Sequence, residues 1–238
     1  MKKVVITQSN YIPWKGYFDS INTADEFILY DDMQYTRRDW RNRNKIKTRD
    51  GLKWLTIPVE VKGKYFQKIN ETKISDRSWG KDHWNSITHN YSKAPHFARY
   101  KDIFEELYLN NQEAYLSKVN FLFLKTICGI LGIDTKFTWS GDFELLEDRN
   151  ERLVDLCKKT GATDYYSGPA AKAYMDESLF EKENIKVHYF DYSGYPEYTQ
   201  QFEGFTHEVS ILDLIFNEGP MATRYMKSFT HEAVKSLS

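Results

Sequence analysis

The segment Tyr30–Val59, YDDMQYTRRDWRNRNKIKTRDGLKWLTIPV, concentrates the chemistry of this chain. Asp31 and Asp32 open it. Arg37, Arg38, Arg41, Arg43, Lys45 and Lys47 follow, with Gln34, Asn42 and Asn44 between them and Tyr35 and Trp40 as aromatic faces. Arginine forks grip phosphate and carboxylate groups through paired hydrogen bonds and stack on rings. Crowding same-sign donors adds little to folding, so such a segment suits a ligand better than a core. A solvated charged face is the competing reading. The flanking apolar stretches EFILY and KWLTIPV read as strands, which puts the basic residues on the loop at their ends, where ligands commonly bind. Gln34, Arg38, Trp40, Asn42, Arg43 and Asn44 are thus candidate ligand contacts. Asp31 and Asp32 are candidate bases, a role that needs burial to raise the carboxyl pKa against the neighbouring arginines.

His83, in KDHW near a helix start, is the other candidate base, with Lys81 as a charged neighbour. A histidine among aromatic residues also serves as a hydrogen-bonding core group. His89, six residues on, faces another way, whereas a helical metal pair needs a spacing of three or four. No metal site is expected. Cys128 and Cys157 lie in apolar helical patterns and read as buried thiols of a reducing compartment.

The elements that would position these groups alternate. Strands are expected at Lys3–Thr7, Glu26–Tyr30, Lys53–Val59, Thr135–Trp139, around TDYYSG and at Lys186–Phe190. Helices are expected at Phe18–Ala24, Trp79–Tyr91, Ala98–Asn110, Gln112–Leu131, Asn150–Lys159 and Ser178–Glu183, with two more in SILDLIFN and MATRYMKSF. VKGKYFQKINETKI reads as a hairpin or an irregular excursion. The order predicts an α/β fold with a mostly parallel, Rossmann-like sheet over residues 1–75 and 132–238 and a helical insertion over 76–131, all in one domain.

In such sheets ligands bind beyond the carboxyl ends of the strands. The first such end is QSNYIPWKGY, where Gln8, Tyr11 and Gly16 are candidate contacts. It lacks a dinucleotide glycine fingerprint. It also lacks the paired histidines of class I nucleotidyl-transfer enzymes, although its position matches theirs, so a relation to that architecture rests on fold alone. A later strand end, Ser167 and Gly168 with Lys172, reads either as an anion site or as a plain turn before a helix-initiating proline. Tyr198 and Gln200 lie in a ring- and amide-rich loop suited to sugar recognition or to covering a core edge. Ser210 is expected to cap the last apolar helix, with Asp213 at the third helical position as a capping-box variant.

The 238 residues are 41% hydrophobic and 16% aromatic, with net charge −1. That balance argues against a nucleic-acid binder, which normally carries a basic excess. The opening MKKVVITQ is no signal peptide, and no apolar run approaches a membrane span, so a cytoplasmic protein is expected. No Gly-x-Ser-x-Gly or Cys–His arrangement points to a hydrolase.

Taken together, Gln8, Pro13, Gly16, Asp31, Asp32, Gln34, Trp40, Asn42, Arg43, Asn44 and Trp54–Val59 resemble the opening of WbqC-like proteins. The resemblance continues through Trp79, Lys81, His83, Tyr91, Ala94–Pro95, Tyr165–Gly168, Tyr174, Tyr198, Gln200, Phe205 and Ser210–Gly219, nearly the whole chain. The family commonly has Gln-Pro where this chain has Gln8-Ser9. The resemblance implies a setting in surface polysaccharide and O-antigen biosynthesis, and a transferase that acylates or aminoacylates a nucleotide-linked amino sugar. A non-catalytic nucleotide- or anion-binding partner of a sugar-modifying enzyme is an alternative, as is an adenylate-forming enzyme using ATP and Mg²⁺. The cofactor stays open between ATP with Mg²⁺, an acyl donor and none. The partner expected is a nucleotide-sugar or another anionic small molecule, and a homo-oligomer is compatible with the sequence.

Overall fold

The computed structural model describes residues 1–229; residues 230–238, which the expected domain includes, lie outside the described part. In chain order the strands are β1 (Lys3–Thr7), β2 (Glu26–Leu29), β3 (Arg43–Thr48), β4 (Gly51–Thr56), β5 (Lys136–Trp139), β6 (Asp164–Ser167) and β7 (Lys186–Tyr189). The α-helices are α1 (Lys15–Thr23), α2 (Trp79–Tyr91), α3 (Phe97–Leu109), α4 (Leu116–Leu131), α5 (Arg149–Lys159), α6 (Glu177–Lys182) and α7 (Ile211–Glu218). Five strands form an all-parallel sheet in the order β5-β2-β1-β6-β7. The chain winds one way from β1 through β2 to β5, then returns to the other side of β1 for β6 and β7, so the winding reverses beside β1.

Alternation along the strands sorts the core into two layers, because successive side chains of a strand point to opposite faces. Val5, Phe27 and Leu29 join Phe18 and Ile21 of α1, the α2–α4 helices and Leu212, Ile215 and Phe216 of α7. Val4, Ile6 and Ile28 face Leu153, Leu156 and Cys157 of α5 and Phe180 of α6. The helical insertion thus shares the first layer's core. Both cysteines are buried and free, as read from their apolar surroundings.

The structure corrects two expectations about elements and decides a third. The basic stretch is not a loop between two strands of the main sheet: its second half is β3, paired antiparallel with β4 in a separate hairpin. Of the two readings of VKGKYFQKINETKI, the irregular excursion holds, with a short 3-10 turn at Ile69–Glu71. The last expected helix is a 3-10 segment, Gly219–Tyr225.

Candidate functional site

Two clefts open at the carboxyl edge of the sheet. The larger, about 680 Å³, lies beyond β2 and β5. Asp32 follows β2, Trp139, Gly141 and Asp142 end β5, Lys68 and Lys73 come from the irregular excursion, and Tyr115, Ser117 and Lys118 stand at the start of α4. Asp32 is oriented from both sides: Asn70 Nδ2 donates to Oδ1 at 3.1 Å and Ser140 Oγ to Oδ2 at 2.6 Å. Lys68 Nζ lies 3.8 Å from Asp32 Oδ1, Lys118 Nζ sits 4.1 Å from the centre of the Trp139 ring, and Lys73 Nζ is 5.6 Å from that of Tyr115. Glu71 and Asp142 also border this cleft, each accepting a backbone N–H, from Lys68 and Trp139. The arrangement offers three movable cations, two ring faces, a helix N-terminus and one aligned carboxylate to a ligand.

The smaller cleft, about 410 Å³, lies beyond β1 and is lined by Asn10, Pro13, Trp14, Trp40, Asn44, His207, Glu208 and Val209. Its wall is held in a strained form, since Ile12 has φ of +37°, a region a β-branched residue rarely enters. Asn44 Nδ2 pins that turn by donating to the Ile12 carbonyl at 2.9 Å, and the Ile211 N–H holds Pro13 O at 2.9 Å. Gly16 is required beneath it, because a Cβ there would overlap the Trp14 ring. Behind this cleft, Lys15 is buried, donating to Pro196 O at 2.8 Å and facing the Tyr195 and Tyr198 rings; burial pushes its pKa down to about 8.

Asp31 stands between the clefts and is fully buried. Its Oδ1 accepts the Ser9 N–H of the β1 loop at 2.8 Å, and its Oδ2 accepts the hydroxyl of Ser117, which borders the larger cleft. Burial raises its pKa, opposed by these hydrogen bonds and by the nearby Arg41 charge. It ties the loops after β1 and β2 to α4.

The structure brings only Asp32, Trp40 and Asn44 of the expected site residues to the cleft linings. Asn42 is buried, donating to Ile57 O. Arg43 stacks on Trp54 at 4.1 Å and donates to Arg38 O. Arg38 and Lys81 are exposed, Gln34 donates to Tyr65 O, and Gln8 contributes its carbonyl to the Tyr17 hydroxyl. Ser167, Gly168 and Lys172 line neither cleft; Gly168 precedes a five-residue 3-10 turn, and Lys172 lies over Tyr189. The basic segment therefore does not act as one cluster: its cations are spread over hairpin, loop and core. Lys68, Lys73, Lys118, Trp139 and Trp14 were not singled out from the sequence. Trp139, as the last residue of an expected strand, and Trp14, within the expected first strand end, carried a signal.

His83 lies within the core, not at a cleft. Nε2 is 3.2 Å from Thr56 O and Nδ1 is 2.9 Å from the Tyr11 hydroxyl, itself 2.9 Å from that of Tyr108. A carbonyl only accepts, so Nε2 carries the proton, Nδ1 accepts from Tyr11, and Tyr108 donates to Tyr11. Trp79, Tyr108 and Phe123 complete the enclosure. Burial lowers the His83 pKa to about 4. The unfolded chain then binds more protons than the folded one between that value and the ordinary 6.5, so stability falls as pH drops through this window, by roughly 3 kcal/mol in all. In His83→Phe the urea midpoint should lose much of its dependence on pH between about 6.5 and 4; an undiminished slope would place the titrating group elsewhere.

Tyr198 and Gln200 belong to a second buried network. Asp213 Oδ1 accepts from the Tyr198 hydroxyl at 2.8 Å and Gln200 Nε2 at 2.9 Å, and Oδ2 from the Tyr91 hydroxyl at 2.7 Å. Ser210 does cap α7, its Oγ accepting the Leu212 N–H at 3.2 Å, but Asp213 does not complete a capping box. Its carboxylate turns into the core. Among the described residues no group of three or more His, Cys, Asp or Glu could hold a metal, and no helix is long and apolar enough to cross a membrane.

A parallel five-stranded sheet flanked by helices, with two clefts at its carboxyl edge, defines this chain as an α/β protein with a cleft-bearing strand edge. The chain belongs to the WbqC-like protein family, whose model matches residues 8–225 and so spans both clefts. It is similar to the uncharacterized protein Rv1507c of Mycobacterium tuberculosis (strain ATCC 25618 / H37Rv), with 53% identity over 227 residues, 95% of this chain and 98% of that protein. No solved structure matches the chain.

Proposed function

We propose that this protein is a cytoplasmic transferase of surface polysaccharide (O-antigen) biosynthesis that acylates or aminoacylates a nucleotide-linked amino sugar held in the larger cleft. The observation that carries the reading is the convergence there of Lys68, Lys73 and Lys118 with the faces of Tyr115 and Trp139 and the aligned carboxylate of Asp32. Lysine heads and the α4 N-terminus suit a diphosphate. Ring faces suit a base or sugar. Asp32 is placed to take a proton from the amine as its nitrogen bonds to the acyl carbon and the donor's leaving group departs. The smaller cleft, with Trp14, Trp40 and two amides, is the place for the acyl donor. The reversal of winding beside β1 supports a Rossmann-like relation, since such sheets bind nucleotides at this edge.

A thermal-shift screen with UDP- and dTDP-linked amino sugars, ATP with Mg²⁺ and acyl thioesters tests it. A ligand binding only the folded state at about 100 times its Kd adds about 2.7 kcal/mol. The amino-sugar nucleotides should raise the melting temperature. A rise with ATP and Mg²⁺ alone would replace this reading with adenylate formation, and no rise with any nucleotide-sugar would refute it.

A further inference from the structure

Beside the larger cleft, the excursion between β4 and α2 carries Tyr65 and Phe66 almost wholly in solvent, 74% and 83% exposed, with ring centres 5.0 Å apart. Large apolar side chains are seldom left this bare side by side on a surface, and contiguous exposed apolar patches mark interaction sites. The loop that presents them is braced. Gln67 Nε2 donates to Glu60 O at 2.7 Å, Gln34 Nε2 to Tyr65 O at 2.8 Å and Arg37 Nη2 to Val61 O at 3.0 Å, and the Tyr35 N–H holds Gln67 O at 2.9 Å. Gly63 takes φ of +74°, which makes the tight turn. The backbone is thus tied inward while the two rings are held outward.

The rings stand in a lysine-rich stretch, VKGKYFQK. Arg37, Arg38, Lys62, Lys64 and Lys68 are exposed in the loop and in the segment strapped to it, against the carboxylates Asp32, Asp39, Glu60 and Glu71, of which Glu60 pairs with Lys64 and Asp32 lies 3.8 Å from Lys68. Residues 61–70 of the loop itself carry three lysines and no carboxylate, on a chain of net charge −1. Aromatic rings settle at the boundary between headgroups and acyl chains, and lysines and arginines around them are drawn to anionic headgroups.

We propose that the Lys62–Lys68 loop is a membrane-docking element that seats this protein on an anionic lipid surface, with Tyr65 and Phe66 entering the headgroup region. Charge complementarity selects this occupant over an apolar protein face, because Lys62, Lys64 and Lys68 flank the two rings along the loop itself. Lys68 also lines the larger cleft, so docking would bring the mouth of that cleft to the membrane surface.

Co-sedimentation of the full chain with vesicles tests the proposal. Binding is expected to vesicles containing phosphatidylglycerol and not to pure phosphatidylcholine, and should weaken sharply at about 0.5 M salt. Both Tyr65→Ser/Phe66→Ser and Lys62→Glu/Lys64→Glu should cut the bound fraction roughly tenfold. Their melting temperatures should stay close to that of the unaltered chain, since these side chains are exposed and a surface pair such as Lys64–Glu60 adds little to stability. No binding to phosphatidylglycerol vesicles, or equal binding by the variants, would overturn it. So would a dimer in sedimentation equilibrium that Tyr65→Ser/Phe66→Ser dissolves, which would make the patch a contact between copies. The response of the serine variant to amino-sugar nucleotides should be unchanged, so the fate of this proposal is read separately from that of the transferase reading.

Discussion

Asp213→Ala should destabilise the protein by about 3–5 kcal/mol, the range for removing one partner from a buried charged network. The carboxylate is fully buried and accepts three side-chain hydrogen bonds, from Tyr91, Tyr198 and Gln200. Burial raises its pKa and those donors oppose the rise. The network extends to Lys47, itself buried, whose Nζ donates to Gln200 Oε1 at 3.0 Å and to the Phe202 and Gly204 carbonyls, while its backbone N–H reaches the Tyr91 hydroxyl at 3.0 Å. Alanine would orphan three donors in the core and leave the Lys47 cation without its neighbouring countercharge. The β3 strand, α2, α7 and the loop over residues 198–206 would lose their common tie. Asp213→Asn keeps one acceptor oxygen for Tyr198 and Gln200 and should lose clearly less. Urea unfolding measures both, as a fall in midpoint at unchanged slope. A loss under about 1 kcal/mol for the alanine variant would mean that water replaces the network.

Gly80→Ala is the second large effect. The Cβ it adds would overlap the backbone carbonyl oxygen of Tyr108, where α2 crosses α3. A backbone atom cannot rotate aside, so the helices must separate. Overpacking of this kind costs on the order of 3 kcal/mol or more. The separation would also break the Tyr108–Tyr11–His83 chain, three residues along α2. Gly129 in α4 is the internal comparison, with open space around its added Cβ. Gly129→Ala should stabilise by about 1 kcal/mol through helix propensity alone. Thermal unfolding should therefore move in opposite directions for the two variants, and similar small shifts in both would contradict the close helix crossing.

Much of the fold could be read from the pattern of apolar residues. The run KVVIT, the strand before Tyr30 and the periodic insertion helices are set by local burial, and their limits fall within a few residues of those expected. The strand β3 escaped because RNRNKI carries charge where a strand normally carries apolar residues. Its buried positions are Asn44, Ile46 and Lys47, and its arginine is covered by Trp54 of the partner strand, a pairing invisible along the chain. Asp213 shows the same limit. Its spacing from Ser210 fits a capping box, but Tyr91 lies 122 residues away and outcompetes that local use. In the candidate site, Asp32, Trp40 and Asn44 were legible as chemistry in one segment. The lysines of the larger cleft come from separate places, the excursion and α4, and only the folded sheet edge assembles them.

The most direct test of the transferase reading is calorimetric titration of a UDP- or dTDP-linked amino sugar into the unaltered chain and into Lys73→Ala/Lys118→Ala. Both lysines are at the cleft rim and neither holds the core together. The reading predicts saturable binding that weakens at least tenfold in the double variant, about 1.4 kcal/mol, with the melting temperature of the unliganded protein unchanged. Equal affinity in both proteins, or no heat of binding in either, would contradict the placement of a nucleotide-sugar in this cleft.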